Sequence, residues 1–326
     1  MGRELSFDPF PFISNPHHQT ILAAFFNFLS EPESKEWSIR LSDGDRLSVQ
    51  ISTPPNWKST DPTIVVVHGL CGSHRSPQVV RTLNRLYPRG YRVVRFNMRG
   101  CGSGKGFAKN CYHCGKSDDL FEVVWRLHQE SPDSPILLCG FSLGGNVVIK
   151  MAGELGNLGN RYLSGVIAVN PPVDLYSSVQ MLGMPSNSLY EKYFYKLLRA
   201  DVHFRQSQFR DLPQVNLPKE LKIYEFDQTY TAPINGFKSA IDYYQKCSSI
   251  HVVEDIAVPT RILLSEDDPI ISSTSLDSLN LPNHIHLYKT KQGGHLGYIG
   301  HPSSPGGFYW LDSILETWVT EIIEAP

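Results

Sequence analysis

The chain has 326 residues, with 30 Lys and Arg against 32 Asp and Glu, for a formal charge of −2 at neutral pH. That balance gives no basis for a nucleic-acid surface, which needs clustered Lys and Arg, and a 41% hydrophobic content with so little net charge excludes a disordered chain. A chain of this length buries roughly three quarters of its unfolded surface without staples, so the six cysteines read as reduced, buried thiols.

In chain order, the first 35 residues, with Pro9, Pro11, Pro16 and Pro32, read as irregular. The apolar run 21–26 is far too short to span a bilayer of about 30 Å and lacks the basic start of a signal peptide, so a soluble, cytoplasmic protein is expected. Residues 36–51 alternate around Asp43-Gly44, which predicts a hairpin. Thr63 to Val67 is a continuous β-branched run, as expected of a strand buried on both faces. A helix over 75–87 and a strand over 91–96 follow. Ser117 reads as an N-cap, with Asp118 and Asp119 in the first turn and Leu120, Phe121, Val124 and Leu127 as its apolar stripe. Strands over 135–139 and 165–169 flank a helix over 146–155. The alternation predicts a mostly parallel sheet covered on both faces. It breaks over 174–247, where helical segments dominate, and resumes with strands at 260–264 and 284–288 and a last helix carrying Leu311, Ile314, Leu315, Trp318 and Ile322. Length alone allows two domains, yet one α/β domain over 1–326 with a helical cap inserted at 174–247 accounts for all of it.

The strongest chemical signal is Gly140-Phe141-Ser142-Leu143-Gly144. A strand enters this G-x-S-x-G pentapeptide and a helix leaves it, the setting of a nucleophile elbow, where glycines let a tight turn present the serine hydroxyl. A serine needs a base and the base an orienting carboxylate, and in this arrangement the order is Ser, acid, His, in loops after late strands. Ser265-Glu266-Asp267-Asp268-Pro269 follows one such strand and Gly293-Gly294-His295-Leu296-Gly297 the next. Asp268, directly before Pro269, is the expected acid, with Asp267 and Glu266 as rivals. His295, between glycines, is the expected base. The oxyanion hole is expected from the N–H groups of Leu143 and of Leu70, which follows His68-Gly69 at the end of an earlier strand.

These pieces together resemble the α/β-hydrolase superfamily and, within it, the YheT-like branch (the AB hydrolase 4 family). The shared motifs are N-P-H-x-Q-T-I at residues 15–21, H-G-L at 68–70, R-G-C-G-S at 99–103, G-x-S-L-G-G-N at 140–146, F-D-x-x-x-T-A-P-x-x-G-F at 226–237, D-D-P at 267–269 and G-G-H at 293–295. The resemblance implies the α/β-hydrolase fold and hydrolysis of a carboxylic, acyl ester by Ser142, Asp268 and His295, with a small-molecule ester as partner and no cofactor. Eukaryotic relatives often carry an N-terminal membrane anchor, which is not seen here, so no integral membrane segment is expected. Residues 17–21 have no obvious chemistry; a structural role is expected of them, with an N-terminal loop folded back near the site as the alternative.

Two other readings stay open: acyl transfer to an alcohol by the same residues, and a binding protein that kept the fold without turnover. Cys111-Tyr112-His113-Cys114 resembles half a zinc site, but no second ligand pair exists, so no metal is expected. Gly100, Gly102, Gly104 and Gly106 fit no G-x-G-x-x-G register, and Gly115-Lys116-Ser117 lacks the earlier glycine of a phosphate loop, where Asn110 stands. The cluster Tyr190, Tyr193, Phe194 and Tyr195 either lines an acyl pocket or packs the cap on the core.

Overall fold

The structure is a computed structural model that describes residues 2–25 and 29–324, so Phe26, at the end of the early apolar run, lies outside the described residues. Its strands are β1 (Arg3–Glu4), β2 (Lys35–Arg40), β3 (Arg46–Ser52), β4 (Thr63–Val67), β5 (Arg92–Phe96), β6 (Ile136–Phe141), β7 (Gly165–Val169), β8 (Thr260–Ser265) and β9 (Ile285–Thr290). The helices are α1 (Pro16–Ala23), α2 (Pro77–Leu86), α3 (Ser117–Glu130), α4 (Leu143–Leu155), α5 (Gly159–Tyr162), α6 (Leu175–Leu182), α7 (Ser188–Gln208), α8 (Ile223–Phe226), α9 (Ala232–Ile234), α10 (Ala240–Cys247) and α11 (Trp310–Ile323).

The nine strands of the described residues join one sheet in the order β1-β9-β8-β7-β6-β4-β5-β3-β2. The hairpin β2–β3 turns through Gly44 at φ 92° and pairs antiparallel, while β5, β4, β6, β7, β8, β9 and β1 run parallel. Alternate side chains of the buried strands feed two cores. Ile64, Val66, Leu137, Ile167 and Leu263 pack with residues of α2 and α11. Val65, Val67, Leu138, Val166 and Ile262 pack with α3, α4 and the helices that follow β7. This is the α/β-hydrolase fold that the sequence motifs imply.

Three local expectations need correction. The first 35 residues contain β1 and α1. The Asn15 side chain accepts from the N–H groups of His17 and His18, and Pro16 sits at the first helical position, so a well-formed N-terminus starts a helix despite the flanking prolines. Ser117 is the first residue of α3 and not its cap; its hydroxyl donates to Glu154 on α4 at 2.5 Å, a tertiary bond that removes it from the capping role. The helix after the elbow begins at Leu143, three residues before the expected start, because Ser142 itself occupies the N-cap position.

The R-G-C-G-S segment has a structural partner set: buried Arg99 holds Asp119 of α3 at 2.6 Å and Asp45 beside the hairpin turn at 2.8 Å. Between β7 and β8, the described chain carries α6 to α10. These helices and α1 stand over the carboxyl ends of the parallel strands, where loops from β4, β6, β8 and β9 converge.

Candidate active site

Ser142 joins β6 to α4 at φ 51° and ψ −122°, a conformation that L-residues adopt only under constraint, at a cost of about 1–3 kcal/mol. Neighbouring backbone supplies the constraint. A Cβ on Gly140 would lie 2.3 Å from Gly144 O, and one on Gly144 would lie 2.4 Å from Val67 O, so both positions demand glycine. The Ser142 N–H donates to Val169 O at 2.9 Å, which ties the turn to β7.

His295 lies in the loop between β9 and α11. Its Nδ1 is 2.8 Å from Asp268 Oδ2 and its Nε2 is 2.8 Å from Ser142 Oγ. A carboxylate only accepts, so Nδ1 carries the proton and Nε2 accepts from the serine hydroxyl. Asp268 is buried and accepts three further bonds, from the N–H groups of Ile270 (2.8 Å) and Ile271 (3.0 Å) and from Asn170 Nδ2 (2.6 Å). Its rivals point elsewhere. Asp267 Oδ1 accepts from Ser265 Oγ and Gly294 N, and Glu266 pairs with Lys291 at the surface. Asp268 is therefore the carboxylate that the fold brings to His295.

Leu143, as the first residue of α4, has an N–H with no intrahelical acceptor. Leu70 follows β4 and lines the same cavity as Ser142 and Leu143. The loop lies tight against the serine, since a Cβ on Gly69 would come within 3.2 Å of Ser142 Cβ. Beside it His68 is fully buried, and that burial pushes its pKa down to about 4, leaving the ring neutral. Met98 N–H donates to His68 Nε2 at 3.1 Å, so Nδ1 bears the hydrogen and donates to Gly69 O at 2.8 Å.

Two cavities meet at Ser142 and His295. One, of about 110 Å³, is lined by Leu175, Leu182, Phe194 and Ile223 of the helices after β7, and by Asp227 and Tyr244 among its polar residues. Burial pushes the Asp227 carboxyl up to about 6, although the hydroxyls of Thr231 and Tyr244 pull it back in part. The other, of about 530 Å³, opens between α1 and α7. Tyr190, Tyr193 and Phe194 line this groove, whereas Tyr195 is buried and donates to Pro218 O, so the aromatic cluster divides between lining and packing.

Sequence reasoning missed Asn170, which sits at φ 46° after β7, donates to Asp268 and accepts from Tyr298 Oη at 2.7 Å. An Asn at the carboxyl end of a buried strand was the available signal. For residues 17–21 it preferred a structural role over an N-terminal segment folded back near the site, and the contact of α1 with the His295 loop matches the second reading. All six cysteines are free, and among the described residues no group of three potential ligands gathers for a metal. Among them, too, no helix is long and apolar enough to cross a membrane.

Comparison with known proteins bears on this arrangement. A family profile described as "alpha/beta hydrolase fold" matches residues 62–302. The Escherichia coli protein named "Putative esterase YheT" is 30% identical over 327 residues, covering 98% of this chain and 94% of that protein. The Saccharomyces cerevisiae "Medium-chain fatty acid ethyl ester synthase/esterase 2" is 30% identical over 290 residues, covering 80% of this chain and 61% of that protein. Among solved structures, the Pyrococcus furiosus esterase Pf2001 superposes with a TM-score of 0.58 at 18% identity, over 90% of this chain and 92% of that one.

Proposed function

The chain belongs to the α/β-hydrolase family, in its YheT-like branch, and is an ester hydrolase; from that premise we propose that Ser142, His295 and Asp268 cleave a carboxylic ester through an acyl-enzyme. The observation that carries the reading is the unbroken line of bonds from Ser142 Oγ through the His295 ring to Asp268, each 2.8 Å long. Ser142 attacks the acyl carbon as its proton passes to His295 Nε2. The Leu70 and Leu143 N–H groups hold the oxyanion, and loss of one such donor typically lowers the rate at least about a hundredfold. Collapse of the intermediate expels the alcohol, which takes the proton from His295. Water, deprotonated by the same nitrogen, then attacks the acyl-enzyme, and the acid leaves as the bond to Ser142 Oγ breaks and that oxygen takes the proton back from His295. The chemistry needs no group beyond these side chains and N–H donors.

The two cavities supply separate places for the two halves of an ester. The smaller one suits the acyl chain, and the larger groove suits the leaving alcohol and the incoming water. An alcohol entering by the groove in place of water would give transfer, so products formed with added ethanol distinguish the two fates. The central test is Ser142→Ala. It should abolish both turnover of short p-nitrophenyl esters and labelling by a fluorophosphonate probe. Labelling that persists in the folded variant would overturn the assignment.

A further inference from the structure

The N-P-H-x-Q-T-I segment is a sequence motif that the reaction leaves without work, yet its helix is pressed against the base. Helix α1 meets the His295 loop backbone to backbone. A Cβ on Gly294 would lie 2.4 Å from Pro16 O, and one on Gly297 would lie 2.6 Å from Gln19 Cβ. The contact is also polar at each turn of the loop. Gln19 is fully buried, and its amide accepts from Ile299 N at 2.7 Å and donates to Ile299 O at 3.1 Å. The Thr20 hydroxyl donates to Pro16 O at 2.7 Å, which turns its lone pairs to the N–H of His295 at 2.8 Å. On its other flank, α1 is tied to α7 by His17 Nδ1 and Tyr190 Oη at 3.0 Å.

The loop depends on such outside partners. Gly293, Gly294, Leu296 and Tyr298 all have positive φ, so four of six consecutive residues sit where an L-chain resists staying, and two of those four are not glycine. Two successive N–H groups are pinned by different segments: Gly294 by Asp267 Oδ1, after β8, and His295 by Thr20 Oγ1 of α1, each at 2.8 Å. Asp268 fixes the ring of His295 but not its backbone; Thr20 fixes the backbone at the same residue.

We propose that Thr20 is a positioning residue for the general base, and that α1 is the platform on which the His295 loop is held in reach of Ser142. The proposal rests on the triad reading above. It assigns the motif a place in catalysis: Thr20 also lines the larger groove, and its part in the reaction is carried through the His295 backbone.

The experiment compares Thr20→Val, which keeps shape and loses the acceptor, with Thr20→Ser, which keeps the acceptor, in the full chain. Ser142→Ala serves as the reference. Steady-state turnover of p-nitrophenyl butanoate and the rate of fluorophosphonate labelling are read beside the melting temperature. Thr20→Val should lower kcat by at least about tenfold, because small displacements of a catalytic group carry large rate losses. Its KM should stay near that of the parent, and labelling should slow in step with kcat. Thr20→Ser should restore both rates to near the parent values. A folded Thr20→Val with parental kcat and labelling rate overturns the proposal, as does a Thr20→Ser equally impaired, which is the mark of space filling alone. Should Thr20→Val fail to fold, Thr20→Cys, of similar size and much weaker as an acceptor, carries the same test. Turnover surviving in Ser142→Ala would instead bring down the triad reading, so the two failures are distinct.

Discussion

His68→Leu isolates the backbone geometry on which the oxyanion hole depends. In a trans peptide the C=O and N–H point in opposite directions. The Gly69 carbonyl is held by two donors, His68 Nδ1–H at 2.8 Å and Gly72 N–H at 3.0 Å, so the Leu70 N–H of the same peptide is held on the opposite side. Leucine removes the first donor and leaves the buried Met98 N–H without its acceptor. One lost bond of about 1 kcal/mol and one orphaned donor of about 1–3 kcal/mol give a stability loss of roughly 2–4 kcal/mol. The peptide then has a single anchor. Rotation that takes the Leu70 N–H from the oxyanion should reduce kcat by about tenfold to a hundredfold, approaching the loss of one donor as the rotated form dominates. KM should change little, because the N–H acts chiefly on charge that develops in the transition state. Steady-state kinetics on p-nitrophenyl butanoate beside a thermal melt separate the two effects. His68→Asn, whose amide N–H can stand near the position of Nδ1–H, should recover much of kcat. A folded His68→Leu with parental kcat, or an Asn variant no better than the Leu one, would refute the reasoning.

Other expectations follow from the same contacts. Asn170→Ala deletes the donor to Asp268 and strands the buried Tyr298 hydroxyl; it should lose roughly 3–5 kcal/mol on a denaturant curve and about tenfold in kcat, and parental values for both would dismiss the Asn170 contact. Gly294→Ala, with its Cβ driven against Pro16 O at φ 57°, should lower kcat about a hundredfold or more, while Gly236→Ala, at φ 77° with nothing within 4 Å, should alter only stability by about 1–2 kcal/mol; equal kinetics in the two variants would count against the packing argument. Asp227, whose pKa burial raises to about 6, stays protonated in the folded chain at pH values where the unfolded chain, near 3.8, has lost the proton. Its contribution is therefore fully present below about pH 4 and falls by roughly 3 kcal/mol as pH rises through 6. The melting temperature of the parent relative to Asp227→Asn should accordingly decline across that window, and a difference that stays flat would show that the carboxyl is not held neutral.

Much of this was legible in the sequence, for physical reasons that differ from residue to residue. Thr63–Val67 declared a doubly buried strand because every side chain in it is β-branched or apolar, and all five are buried. The elbow was legible because sterics allow only glycine at 140 and 144. The choice among Glu266, Asp267 and Asp268 was open on spacing alone. Backbone direction after β8 separates them in space: the N–H groups of Ile270 and Ile271 hold the Asp268 carboxylate, which lies against His295. Asn170 was hidden because its meaning depends on β7 lying next to β8, a pairing made by residues about a hundred positions apart. Ser117 misled because capping propensity is local, and a tertiary acceptor on α4 outcompeted it.

The contact of α1 with the His295 loop has its origin in sheet topology. β1 pairs parallel with β9, at the edge of the sheet, with Leu5 N–H donating to Lys289 O. The chain that leaves β1 therefore runs beside the chain that leaves β9, and the two stay together. Phe10 N–H donates to Ile299 O, His301 N–H donates to Asp8 O, and Pro9 bridges Gly300. With the loop's far end held this way, the Asn15 cap starts α1 directly beside Gly294 and His295. A short edge strand adds little stability by itself. Its place in the order β1-β9-β8 delivers α1 to the same end of the sheet as His295 and Asp268, and this explains how a helix some 275 residues away in sequence comes to hold the His295 backbone.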